Sequence, residues 1–117
     1  MHIQPSRGAC HDPERHCPLV GSRGLSLRTG GQILVDQLKI HGTSHVFCVP
    51  GESYLAVLDA LHDASIRTIV CRQEGGAAYM AEAAGKITGQ PGIVMVTRGP
   101  GATNASCGIH VASQDST

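Results

Sequence analysis

Residues 72–89 read Arg72-Gln73-Glu74-Gly75-Gly76-Ala77-Ala78-Tyr79-Met80-Ala81-Glu82-Ala83-Ala84-Gly85-Lys86-Ile87-Thr88-Gly89, directly after the apolar run Arg67-Thr68-Ile69-Val70-Cys71. The run has the length of a strand. The segment after it carries no breaker other than glycines until Gly89 and Pro91, which punctuate a helix end. This predicts a strand at 67–71 and a helix over 74–88 with Glu74 in its first turn. Gly92-Ile93-Val94-Met95-Val96-Thr97 supplies the next strand. Strand, helix and strand over short joints make a βαβ unit, which implies parallel pairing and a right-handed crossover.

The same alternation extends in both directions. Upstream, Thr29-Gly30-Gly31-Gln32 has capping-box spacing, with Gln three residues after Thr. Ile33, Leu34, Leu38 and His41 follow as a helical stripe, and Gly42 is placed to end it in the left-handed conformation. His45-Val46-Phe47-Cys48-Val49 is a continuous apolar strand closed by Pro50-Gly51, as expected of a parallel sheet covered on both faces. Tyr54, Leu55, Leu58 and Leu61 mark one face of a second helix. Downstream, residues 102–112 read as a fourth helix. The fold class expected is α/β, a three-layer α/β/α arrangement around a parallel sheet.

The helix at 74–88 is rich in Gly and Ala. Each interior glycine costs about 1 kcal/mol of helix propensity relative to alanine. Such a helix is expected to press closely on a sheet or a partner subunit.

Composition narrows the function classes. The chain has 117 residues, 15% of them charged, with a formal net charge of zero. Nothing in that balance draws it to nucleic acid or an anionic membrane. Phe47, Tyr54 and Tyr79 are its only aromatic residues, too few for base stacking. No apolar run approaches the roughly 20 residues of a membrane helix. The five cysteines follow no secretory apolar segment, so reduced thiols and a cytoplasmic location are expected.

Residues 1–28 contain Pro5, Pro13 and Pro18 and no apolar period, so a disordered extension is expected before a domain at 29–117. Its prolines also spoil the amphipathic helix of an organelle-targeting peptide. Cys10, His11, His16 and Cys17 have neither finger nor ribbon spacing, so no metal site is assigned.

In open α/β sheets, ligands bind beyond the carboxyl ends of strands. Three loops occupy such ends: Pro50-Gly51-Glu52, Arg72-Gln73-Glu74 and Arg98-Gly99-Pro100-Gly101. On its own, Glu74 complements a helix dipole, worth about 0.3–1 kcal/mol. Gly99-Pro100-Gly101-Ala102-Thr103-Asn104 begins like a dinucleotide fingerprint but has Asn104 where the third glycine belongs. Glu82 reads as a solvated or interface carboxylate, and His110 as a solvated or packing histidine.

Taken together, Arg72-x-Glu74-x-Gly76-Ala77, Val49-Pro50-Gly51-Glu52-Ser53 and Thr97 to Asn104 resemble the pyrimidine-binding domain of thiamine-diphosphate enzymes of the acetolactate synthase type. The resemblance covers residues 29–117. It implies a fold with the first strand between the second and third. It implies that Glu74 is the catalytic carboxylate, binding N1′ of the cofactor aminopyrimidine, favouring the imino tautomer and so promoting formation of the C2 ylide. It implies that Pro50, Gly51, Pro100 and Asn104 shape the pyrimidine pocket. The activity implied is that of a transferase or lyase joining or cleaving 2-oxo acids such as pyruvate.

Family members run to several hundred residues and work as homo-oligomers, dimers or tetramers, with each active site formed between two subunits. Their diphosphate and Mg2+ are held by a Gly-Asp-Gly motif with a downstream Asn, and no Gly-Asp-Gly occurs here. The resemblance therefore implies an incomplete domain, an N-terminal fragment holding half of a thiamine diphosphate site and inactive alone. Two other readings stand beside it: a non-catalytic interaction module with an exposed sheet edge, and a nucleotide-binding α/β domain using Gly99 to Asn104.

Overall fold

Thr29 opens the first helix with both bonds of a capping box. In the computed structural model, which describes residues 27–117, its Oγ1 accepts from Gln32 N at 3.2 Å and its N–H donates to Gln32 Oε1 at 2.9 Å. Of the extension expected to be disordered over residues 1–28, only Leu27 and Arg28 are described, and the Cys10 to Cys17 pattern lies outside the described residues. Helix α1 (Gly30–Ile40) ends in a Schellman motif. Gly42 N donates to Lys39 O and Thr43 N to Leu38 O, with Gly42 at φ +74°. Arg28 pairs with Asp36 on its outer side.

The other elements alternate as the sequence predicts. Strand β1 (His45–Cys48) leads through a 3₁₀ turn at Glu52–Tyr54 into α2 (Leu55–His62). Then come β2 (Arg67–Val70), α3 (Glu74–Thr88), β3 (Ile93–Met95) and α4 (Pro100–Asp115). The three strands are parallel in the order β2-β1-β3, so β1 is central.

Alternation along β1 sorts the two faces. Val46 and Cys48 are fully buried against Val35 of α1 and Leu61 of α2, with Leu38, Ile93 and Met95 packed around them. The opposite face of the sheet meets α3, which packs on β1, β3 and α4. This is the expected three-layer α/β/α arrangement.

The small residues of α3 face inward: Gly75, Ala77, Ala78, Ala81 and Gly85 are buried. A Cβ on Gly108 of α4 would stand 2.5 Å from Ala78 Cβ, so the two helices touch backbone to backbone there. The expected flat partner of α3 is thus supplied by the sheet and by α4.

Four local readings are corrected. Ile33 and Leu34 are exposed, and α1 buries Gly31 and Val35 instead. The reason is close approach: a Cβ on Gly31 would collide with the Ala56 carbonyl. Leu55 of α2 is likewise exposed. Strand β3 stops at Met95 rather than Thr97, because Thr97 turns to bond Ser53. Helix α4 starts at Pro100 rather than Ala102, with proline in the first turn, where its missing N–H costs nothing.

Candidate functional site

The carboxyl ends of β1 and β3 lie side by side and are sewn together by Tyr54. Its hydroxyl donates to Val49 O and also lies 3.1 Å from Met95 O, while Val49 N donates to Met95 O at 3.2 Å. Burial, followed by the nearby Cys48 and Glu74, pushes the Tyr54 phenol up to about 12. The neutral hydroxyl is the form that holds the two strand ends in register.

Thr97 sits between the two glycine bends. A Cβ on Gly51 would fall 2.6 Å from Thr97 Cβ, and one on Gly101 2.9 Å from Thr97 Cγ2. Both glycines are therefore required by the same side chain, whose Oγ1 also bonds Ser53 Oγ at 2.8 Å. Gly99 takes φ +67° with ψ −120°, a positive-φ conformation open to glycine that lets the chain turn from β3 into α4. Arg98 and Glu52 close the outer rim with an exposed ion pair at 3.1 Å. Together Gly51, Glu52, Thr97, Arg98, Gly99 and Pro100 line an open hollow of about 600 Å³.

Glu74 is the first residue of α3 and is half-buried. Gln73 caps the helix by accepting from Gly76 N at 2.8 Å. Asn104 Nδ2 donates to Glu74 Oε2 at 3.0 Å. The other oxygen, Oε1, lies 3.4 Å from where a Gly101 Cβ would be. The carboxylate thus stands beside the Gly99-Pro100-Gly101 bend, with one oxygen bonded and no side chain on Gly101 to crowd the other.

Of the residues singled out from sequence, Glu74 and Asn104 bond one another, and Gly51 and Pro100 share the hollow. Pro50 is exposed and does not line it; it fixes the backbone between Val49 and Gly51. Tyr54 and Thr97 were missed as site residues. The signal for Thr97 was available, because two glycines in facing bends imply a bulky side chain between them. Tyr54 was read only as part of an apolar helix face.

Glu82 is not solvated. Its side chain is 9% exposed and its Oε1 forms an ion pair with Lys86, off the line a hydrogen bond needs. Lys86 also bonds Asp115, so the three tie the second half of α3 to the end of α4. The bonded Asp115 carboxylate, then the paired Glu82 carboxylate, raises the Lys86 pKa. His110 is exposed. Cys48, Cys71 and Cys107 are free thiols, and burial pushes the Cys48 thiol up. Among the described residues no helix is long and apolar enough to cross a membrane.

Comparison with known proteins adds one family match and three relatives to this geometry. The family described as "Thiamine pyrophosphate enzyme, N-terminal TPP binding domain" matches residues 28–117. The chain is 44% identical over 93 residues to an acetolactate synthase of Bacillus subtilis (strain 168), covering 80% of this chain and 16% of that protein. It is 43% identical over 86 residues to the catabolic acetolactate synthase of Raoultella terrigena, covering 74% and 15%. It is 40% identical over 93 residues to the large subunit of acetolactate synthase isozyme 3 of Escherichia coli (strain K12), covering 79% and 16%. The chain thus spans about 16% of the length of two of these relatives and 15% of the third.

Proposed function

Because the chain belongs to the thiamine pyrophosphate enzyme family through its N-terminal TPP binding domain, we propose that Glu74 is the carboxylate that meets the aminopyrimidine of thiamine diphosphate. The setting is an acetolactate synthase-like enzyme that joins or cleaves 2-oxo acids such as pyruvate. The observation that carries this reading is the Glu74–Asn104 hydrogen bond at the carboxyl ends of the strands.

The residues present fit such a group. A half-buried carboxylate faces a bend whose glycine leaves its free oxygen uncrowded, and the neutral amide of Asn104 holds the other oxygen. The cofactor, when bound, supplies the nucleophilic carbon and the electron sink. The chain's own part is positioning and proton exchange. With Oε2 occupied by Asn104, Oε1 is the atom able to take or give a proton, as a positioned general acid–base requires. Pro50 and Pro100 stiffen the two bends by fixing φ. Thr97 keeps the bends at a set separation.

The diphosphate and Mg2+ are assigned to residues beyond the matched segment, and the complementary half of the site to a partner subunit of a dimer or tetramer. Alone, the chain is expected to show no turnover. Free thiols at Cys48, Cys71 and Cys107 suit a cytoplasmic setting. The dinucleotide reading is weaker: a carboxylate beside the first turns of α4 repels a pyrophosphate that a helix N-terminus would otherwise attract.

The test is a chimera in which residues 28–117 replace the corresponding segment of the Bacillus subtilis acetolactate synthase. Pyruvate-to-acetolactate activity is expected, and Glu74→Gln in that chimera should lower kcat by about 100-fold or more at unchanged oligomer size. Full activity of the Glu74→Gln chimera would remove the assigned role. Acetolactate formed by the 117-residue chain alone would refute the half-site reading. Calorimetric titration of the chain with thiamine diphosphate and NAD separates the two cofactor readings.

A further inference from the structure

We propose that a cavity at the amino ends of the strands is a second small-molecule site, one that takes an uncharged molecule with an apolar ring and a hydrogen-bonding group. It lies at the opposite end of the sheet from Glu74 and is independent of the cofactor reading. Its volume is about 350 Å³, inside the roughly 300–1,000 Å³ range of ligand pockets.

All three layers contribute to its apolar lining: Leu38 from α1, Phe47 from β1, Ala84 from α3 and Ile93 from β3. Each is half-buried. Polar groups gather at one rim, where Thr43, Ser44 and His45 follow the Schellman turn of α1, and at the other, where Thr88 and Gln90 follow α3. Ser44 Oγ and His45 Nδ1 lie 2.8 Å apart, which orients the ring and leaves Nε2 as its second hydrogen-bonding atom. Thr88 Oγ1 is already committed, donating to Ala84 O at 2.7 Å and accepting from Gln90 N at 3.2 Å.

The walls are preformed. Gly42 locks one through the two bonds of its turn, and Gly92 packs against the Ala81 backbone so closely that a Cβ there would collide with its carbonyl. Among the described residues no Asp, Glu, Lys or Arg lines the space, and His41 and His45 are its titratable members. A charged guest would lose water without gaining a counter-charge, whereas a neutral one loses little and gains the rim.

Three probes share one ring and differ in charge: benzyl alcohol, benzylammonium and benzoate. Each is titrated into the 15N-labelled full chain at neutral pH. Benzyl alcohol should give saturable amide shifts at Thr43, Ser44, His45 and Thr88, with both ions binding about tenfold more weakly or worse. Ala84→Leu, which fills the floor, should abolish the saturable shifts while the remaining spectrum stays folded. Equal response to all three probes, shifts without saturation, or shifts centred on Gly51 and Gly99 would overturn the proposal. So would saturable binding by folded Ala84→Leu. The charge series needs no variant, so it decides even if Ala84→Leu fails to fold.

Discussion

Replacing Gly108 by alanine should destabilise the chain, although alanine is the better helix former. A Cβ at position 108 would lie 2.5 Å from Ala78 Cβ, 2.8 Å from Ala78 C and 2.9 Å from Tyr79 N. Carbon atoms rest at about 3.5–4.0 Å, so α4 must withdraw from α3 by about 1 Å. Two of the three opposing atoms are backbone and cannot rotate away. Overpacking of this kind costs about 1–3 kcal/mol, and rigid opposition places it near the top of that range. Alanine returns about 1 kcal/mol of helix propensity. The net loss is about 2 kcal/mol, or a fall in Tm of about 8–16 °C for a domain of this size. Gly76→Ala is the internal control. Its Cβ meets only Gln73 Oε1, at 3.9 Å, so it should gain about 0.5–1 kcal/mol. Urea unfolding followed by far-UV circular dichroism measures both. A Gly108→Ala chain as stable as its parent would refute backbone-level contact between α3 and α4.

Tyr54 and Tyr79 are the only tyrosines, so Tyr79→Phe isolates Tyr54 for absorbance titration, with an expected midpoint near 12. Because the folded pKa lies above the unfolded value of about 10, this contribution to stability is intact below pH 10 and is lost as pH rises from 10 to 12; a midpoint at 10 would contradict the buried hydroxyl. Asn104→Ala in the chimera should lower kcat/KM by about 10- to 100-fold, the worth of a hydrogen bond to a charged group. An unchanged rate would show that Glu74 needs no such holder. Lys86→Met should destabilise by leaving Glu82 as a nearly buried carboxylate with no cation, and Glu82→Met added to it should restore much of the loss. Equal urea midpoints for the single and double variants would argue against that pair.

Signals carried by neighbouring residues were readable in the sequence. The bounds of α3 follow from Glu74 in its first turn and from Gly89, which adopts φ +67° at its end. Thr29 and Gln32 announced α1, and Gly42 its stop. Contacts between distant backbones were not readable. Hydropathy favours Ile33 and Leu34 as the inner face of α1, but Gly31 fits against Ala56 and turns the helix so that both are exposed. Glu82 counts as a surface residue by type, and its pairing with Lys86, which in turn bonds Asp115 29 residues further on, joins positions that sequence spacing does not relate. At the candidate site, the motifs singled out Glu74 and Asn104, and the structure shows the bond between them. Tyr54 escaped notice because its partners, Val49 O and Met95 O, are backbone atoms of two separate strands.

The central place of β1 also governs when the parts meet during synthesis. Each of the two strand pairs includes β1, so a chain emerging from its amino end offers β1 to β2 first and holds its other flank open until Ile93 to Met95 appear. Glu74 is released before Asn104, and the carboxylate stays unclasped while the intervening helix and strand are being made. A pause in translation just ahead of Pro100 would leave Gly51 without its counterpart across Thr97. The lining of the hollow is therefore completed from the carboxyl side, when Thr97 to Pro100 join Gly51 and Glu52.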